Sequence, residues 1–321
     1  MKKLFISVWA LAALVGCSKE ENGLPAGGSE ESRAAIAPSA NIENNVISRA
    51  AVDGTSFAEG DDVFRLSAFE AATEPTDNWT ATGTEAFENM QVNCAANGPL
   101  SLATPKYYPP TGASEKLWFY AYAPSGTYSN GNGATKPSVS YTITGQEDIM
   151  TGKVTNVNGF GGVANGETQT HPAFGFSHLL KKITFKVKAG DTFDAGSNTA
   201  VTQIVVKNVK TSASLNVVDG TLTFSGDADQ SLTLSGSSTT ITTEGASVPG
   251  CLMFEPGTSF TVSVTAGSVT YADATVTLSG DKAGEAGVNH EVTLTFHRSG
   301  IVPTAVITNW VKGEDVGVDI Q

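Results

Sequence analysis

Few side chains in this 321-residue chain could do chemistry: four histidines, three cysteines and four arginines. His290 and His297 stand seven apart on one strand-like run. An odd separation puts them on opposite faces, roughly 23 Å apart if extended, so they cannot share a metal within that strand. His178 follows Phe174 and Phe176 at two-residue spacing. It reads as a hydrogen-bonded structural histidine whose ring can pin a junction by bonding a backbone carbonyl. No Cys/His spacing of zinc type occurs. Gly159-Phe160-Gly161-Gly162 lacks the following Lys and helix of a phosphate loop. The acidic pairs Asp61-Asp62, Glu147-Asp148 and Glu314-Asp315 fall in turn-like contexts and read as solvated, and a glycosidase-type separation can only be read from coordinates. Cys94 and Cys251 read as buried thiols. No enzyme, cofactor or metal site is expected.

Cys17 differs from the other two cysteines. Lys2 and Lys3 precede a short apolar run, residues 4–15, too short for a spanning helix. Leu14-Val15-Gly16-Cys17 matches a bacterial lipobox, in which the Cys receives lipid and becomes the mature N-terminus. Several acyl chains on one Cys anchor firmly, at ~0.8 kcal/mol per buried CH₂. Ser18-Lys19-Glu20-Glu21 then resembles the short surface-export signal of some Gram-negative lipoproteins.

Residues 18–49 read as a tether or pro-segment. They are rich in Gly, Ser, Ala, Asn and Glu, and such a segment buries too little surface to offset its chain entropy. Two of the four arginines lie here, Arg33 and Arg49, each followed by Ala-Ala (Ala34, Ala50). An exposed Arg in a linker is a target for an Arg-specific protease. Residues 1–49 carry five basic and five acidic side chains, so the net charge of −13 survives their removal. An acidic chain with scattered charge argues against nucleic acid as a partner.

The elements behind these residues are strands. Residues 173–190 hold two runs of opposite phase. Phe174, Phe176, His178 and Leu180 are even; Ile183, Phe185 and Val187 are odd. A phase slip moves the apolar set to the other face, so the chain must turn, bulge or change sheet near Leu180. Phe176, His178 and Ile183 therefore mark a structural junction. The expected organisation is a signal peptide and lipobox (1–17), a pro-segment (18–49) and two β domains (50–172 and 173–321). In the first, residues 63–69, 117–124 and 138–144 read as strands, and 78–80 and 87–90 as loops or irregular pieces. In the second, strands are expected at 183–187, 201–206, 214–218, 221–224, 231–234, 239–243, 259–265, 270–278, 291–296, 305–310 and 316–320. Asp219-Gly220 signals a two-residue hairpin. Short strands at regular spacing with Gly-rich turns favour a sandwich. In the last run Val316, Val318 and Ile320 alternate with polar residues or Gly, as a strand that adds to a sheet would.

Several segments together resemble the fimbrillins that build type V pili in Gram-negative bacteria. They are the lipobox at Cys17, Arg49-Ala50, and Tyr107-Tyr108-Pro109 followed by Phe119-Tyr120-Ala121-Tyr122-Ala123-Pro124. Phe176-Ser177-His178-Leu179-Leu180-Lys181-Lys182-Ile183, Gly287-Val288-Asn289-His290-Glu291-Val292-Thr293-Leu294 and Ile307-Thr308-Asn309-Trp310-Val311-Lys312-Gly313 complete the set. The resemblance implies an all-β chain of two tandem transthyretin-like Greek-key β-sandwich domains. It also implies export as an outer-membrane lipoprotein, cleavage by an Arg-specific protease, and assembly into adhesive fimbriae by donor-strand exchange. Carried onto this chain, Arg49 is the cleaved residue (Arg33 the alternative), residues 41–49 are the plug, and Val316, Val318 and Ile320 belong to the donor strand. The partners implied are other copies or related subunits, the outer membrane through Cys17, the protease, and a surface receptor.

A rival reading is a lipid-anchored surface, tip or anchor protein that binds glycan or host protein through loops. Trp79, Tyr107, Tyr108 and Tyr128 are its candidate stacking platforms.

Overall fold

A computed structural model of the chain describes residues 33–42, 47–48, 51–52, 56–96, 98–157, 159–193, 200–298 and 300–308. Every described regular element is a β-strand. In chain order these are β1 (Ser39–Ile42), β2 (Ile47–Ser48), β3 (Ala51–Val52), β4 (Gly60–Ala71), β5 (Phe87–Cys94), β6 (Leu100–Leu102) and β7 (Lys116–Ala123). There follow β8 (Thr127–Ser129), β9 (Ser138–Thr142), β10 (Met150–Val154), β11 (Ala173–His178), β12 (Lys181–Ala189), β13 (Ala200–Val209) and β14 (Ser212–Asn216). The last are β15 (Thr221–Ser225), β16 (Gln230–Thr240), β17 (Ala246–Phe254), β18 (Ser259–Ala266), β19 (Val269–Thr277), β20 (Asn289–His297) and β21 (Gly300–Thr308).

The phase slip is a change of sheet. β11 is in the sheet β1-β11-β10-β7-β4-β5-β6, and β12, two residues later, is in β17-β12-β20-β21. The even apolar set of β11 and the odd set of β12 thus serve different cores. Phe174 and Phe176 join Phe64, Leu66, Val92 and Phe119. Ile183, Phe185 and Val187 meet Ile204, Val262 and Leu294, with β16-β13-β18-β19 as the facing sheet. Leu180 lies in a third cluster with Tyr122, Tyr141, Leu215 and Met253. That cluster is built partly by β15-β14-β9-β8, in which β14 returns to pair with β9. Residue 173, the expected domain boundary, is the first residue of β11 and pairs with Ser39 of β1.

Several expectations need correction. Residues 87–90 are not a loop but the start of β5, which pairs with β4 and β6. Its Glu, Asn and Gln side chains hide the apolar alternation. The hairpin at Asp219-Gly220 has a four-residue loop, because Asn216 pairs with Thr221. Asn216 Oδ1 accepts from the N–H groups of Val218 and Asp219, and Gly220 takes a φ of 69°. β17 had no counterpart in the sequence reading. Its Pro249-Gly250 sits where the register with β12 shifts between Ile183 and Phe185, a bulge that accepts Pro within a sheet. Residues 33–42, expected to be a tether, pack against the first core. Arg49, Ala50, Cys17 and the 316–320 run lie outside the described residues.

Candidate functional site

The segment 33–42 has a strand's alternation with one face covered. Ile36, Pro38 and Ile42 are buried and Ala34 and Ala40 half-buried; Ala35, Ala37, Ser39 and Asn41 are exposed. Two backbone ladders hold it. Near its start the Ile36 N–H donates to the Lys106 carbonyl (2.8 Å), and the Tyr108 N–H donates to the Ala34 carbonyl (3.2 Å). Further on, β1 runs parallel to β11, with Ala40 opposite Phe174 and Ile42 opposite Phe176. β1 is the outermost strand of its sheet.

Its inward side chains end on an aromatic floor. The Phe57 ring lies 5.0 Å from that of Phe176 and 5.2 Å from that of Phe64, and Phe64 lies 5.0 Å from Phe176. Ile36 and Ile42 belong to this same cluster. Two polar anchors add to the packing. Arg33 forms an ion pair with Glu85 and lies over the Tyr107 ring at 5.8 Å. His171 Nδ1 accepts the Ala37 N–H at 3.2 Å and lies 3.0 Å from the Tyr108 hydroxyl. Burial pulls the His171 pKa below its ordinary value, which favours the neutral ring that can accept.

Of the two arginines named from sequence, Arg33 is therefore engaged, and the carbonyl that follows it, on Ala34, is hydrogen-bonded. β2 and β3 pair through Ile47 with Val52 and Ser48 with Ala51, while Arg49 and Ala50 lie outside the described residues. The junction residues separate as the phase slip requires: Phe176 in the first core, Ile183 in the second and His178 between them. His178 Nδ1 lies 2.7 Å from Asp148 Oδ1, both side chains buried. Asp148 is thus not a solvated turn residue. Its neighbour Glu147 accepts from the backbone N–H groups of Thr144 (2.6 Å) and Gly145 (3.2 Å).

Sequence reasoning missed Lys181. Its side chain is 1% exposed. Nζ donates to the Gly257 carbonyl at 2.7 Å and lies 4.5 Å from the Phe254 ring centroid and 5.3 Å from that of Phe260. Burial pulls its pKa down to about 8, with Glu255 acting in the opposite direction. Burial, then the Lys181 charge, lowers the pKa of His290, whose Nε2 accepts the Gly284 N–H at 3.2 Å. The clue was the phase slip itself: one of the paired lysines had to turn inward.

The proposed aromatic platforms are not a patch. Trp79 and Tyr108 are buried, Tyr107 lies under Arg33, and Tyr128 stacks on Tyr122 and hydrogen-bonds Glu88. Among the described residues no three His, Cys, Asp or Glu side chains are placed to hold a metal ion, and Cys94 and Cys251 are both buried.

The described residues are thus all-β, and residues 33–42 cover the edge of one of the sheet-built cores. The fimbrillin-like family matches residues 48–310, and the chain belongs to that family, one of fimbrial structural subunits and not of enzymes. A Bacteroides uniformis protein named as a fimbrium subunit, Fim1C, is 26% identical over 99% of this chain and 98% of its own length. The fold is shared with a Bacteroides uniformis protein described as a cell adhesion protein (TM-score 0.56, 18% identity, covering 88% of this chain and 100% of that one). A fimbrial protein from Bacteroides vulgatus is equally near in fold (TM-score 0.56, 16% identity, covering 86% and 99%).

Proposed function

We propose that this chain is a structural subunit of cell-surface fimbriae, exported as a lipoprotein through Cys17, cut at Arg49 and joined to its neighbours by strand exchange. The observation that carries this reading is the arm. An edge strand that buries Ile36, Pro38 and Ile42 in a core can be removed without breaking any other strand pair. It leaves behind a groove with an unpaired ladder on β11, and an open edge of that kind recruits another strand.

The arm also favours one cut over the other. Cleavage at Arg33 would leave residues 34–42 in place. Cleavage at Arg49 lies beyond them and disconnects the whole arm from the body. In this reading the plug includes residues 34–42, ahead of the 41–49 stretch expected from sequence. The 316–320 run supplies Val316, Val318 and Ile320 at the spacing of Pro38, Ala40 and Ile42. Each fully buried Val or Ile contributes about 1.5–3 kcal/mol, so the incoming strand fills the groove better than the arm's Pro and Ala. In this reading the body of the chain folds as two lobes, meeting near residue 173, and the fimbria supports adhesion through partners on other surfaces.

The test is substitution of each arginine in the native host. Arg49→Ala is expected to accumulate uncut, lipid-bearing monomer, and Arg33→Ala to assemble normally. Normal polymer from Arg49→Ala would overturn the assignment.

A further inference from the structure

The small sheet β15-β14-β9-β8 has one face in the third cluster and the other in solvent. Val139, Tyr141, Ala213 and Leu215 point inward and are buried. Their neighbours in sequence form the outer face, because side chains alternate along a strand. Across that face Ser138 pairs with Asn216 and Asn216 with Thr221; Ser140 pairs with Ser214 and Ser214 with Thr223. Thr142, Ser212 and Ser225 make a third row. Every one of these side chains ends in a hydroxyl or an amide, and none carries a charge.

Other outward faces of the chain do carry charge. β12 presents Lys182, Lys186 and Lys188 opposite its buried set, and Lys207 of β13 pairs with Asp273 of β19 at 2.7 Å. On the hydroxyl face, only Asn216 bonds another part of the described protein, through Oδ1 to the N–H groups of Val218 and Asp219. The face is also concave. Ser138, Ser214 and Asn216 are half-buried, while Thr221 and Thr223 stand exposed. Together with Asp219 these five enclose an open depression of about 320 Å³. The Asp219 carboxylate is matched by Lys136 Nζ at 2.6 Å, so the depression holds no uncompensated charge. Its shape is fixed from below by Leu215, which is fully buried. At one end it is fixed by the turn at Gly220, where a side chain would collide with Thr151.

We propose that this depression binds one sugar unit of a neutral glycan. A Ser or Thr hydroxyl both donates and accepts a hydrogen bond, as does each hydroxyl of a sugar, so the two surfaces match whichever way the protons turn. Neighbouring side chains stand about 4.8 Å apart across the strands and about 6.7 Å apart along them, which lets one sugar ring touch several at once. The lack of free charge selects against phosphate, sulfate and carboxylate ligands. The lack of apolar side chains on the face selects against a greasy partner. No aromatic ring lies on the face, so the sugar is held by its hydroxyl edge and not by stacking. The strands are already ordered, and little entropy is lost on binding. A single contact of this kind is weak, and repetition of the subunit along a fimbria multiplies it. The inference gives the adhesive part of the proposed function a ligand class. It depends on neither cleavage nor strand exchange, because the face lies on the uncut chain.

The test uses the uncut full-length chain coupled in many copies to beads. The probes are three neutral polysaccharides, dextran, mannan and galactan, with heparin as the anionic control. Retention of at least one neutral probe is expected, unchanged from low to high salt because no ion pair is involved. Ser214→Val combined with Thr223→Val removes two hydroxyls and keeps strand-forming side chains. The double variant should keep its melting temperature and bind that probe about tenfold more weakly. Thr127→Val, on β8 outside the depression, should bind as the wild type does. Retention of no neutral probe, or equal binding by the double variant, would overturn the site. Salt-sensitive retention of heparin alone would overturn the neutral class of ligand. Each of these failures leaves the plug and strand-exchange reading untouched.

Discussion

Ile42 lies directly opposite Phe176 in a parallel ladder, at 1% and 0% exposure. A residue close to the expected cut site is thus as deep in the core as any strand residue. The arm packs into the first core and covers the edge of its sheet at the same time.

Ile42→Ala should therefore destabilise the uncut chain by about 2–5 kcal/mol, the range for truncating a buried Ile. Once the arm has been removed the same substitution should have no effect. Denaturant titrations of cut and uncut protein, with and without the change, measure both.

The arm's hold should weaken in acid. His171 accepts the Ala37 N–H only when Nδ1 is unprotonated. Its folded pKa is lowered, so the released state takes up the proton first as pH falls through about 6.5, and retention of the arm is lost in that direction. Limited proteolysis of residues 34–42 should accelerate from pH 7.5 to pH 5. His171→Gln keeps a neutral acceptor and should flatten that dependence.

Lys181 gives a second, oppositely placed window. Its folded pKa, about 8, lies below the ordinary 10.5, so between those values the unfolded chain binds more protons and stability rises with pH. Wild type should gain on Lys181→Met between pH 8 and pH 10, as read from paired denaturation curves. A gap that does not change with pH would contradict a desolvated ammonium at this position.

Much of this architecture was legible in the sequence, because one-sided burial writes a period of two. The runs of β4, β7, β12, β18 and β20 announced themselves, and the slip at Leu180 announced the change of sheet. What stayed hidden had physical causes. Pro249-Gly250 masked β17 because the bulge that admits them also breaks the alternation. The arm was masked because Ala34, Pro38 and Ala40 are small enough to pack without looking apolar. Lys181 was masked because a buried lysine is told from its exposed neighbour only by what surrounds it, here two Phe rings and a carbonyl. The pairing of His178 with Asp148 joins residues 30 apart in sequence, and no local pattern encodes that.

Removal of residues 316–321 should leave a folded, processed monomer that does not polymerise, as read by size-exclusion chromatography and electron microscopy. Polymer of normal length from the truncated chain would remove the donor role from Val316, Val318 and Ile320.

The most direct test of the account is the N-terminus of the protein taken from native cell surfaces, determined by intact mass and terminal sequencing. A chain starting at Ala50 is the expected result, since it has lost both the lipid and the arm. A chain still starting at a lipidated Cys17, within assembled fimbriae, would contradict removal of the arm as the step that opens the groove.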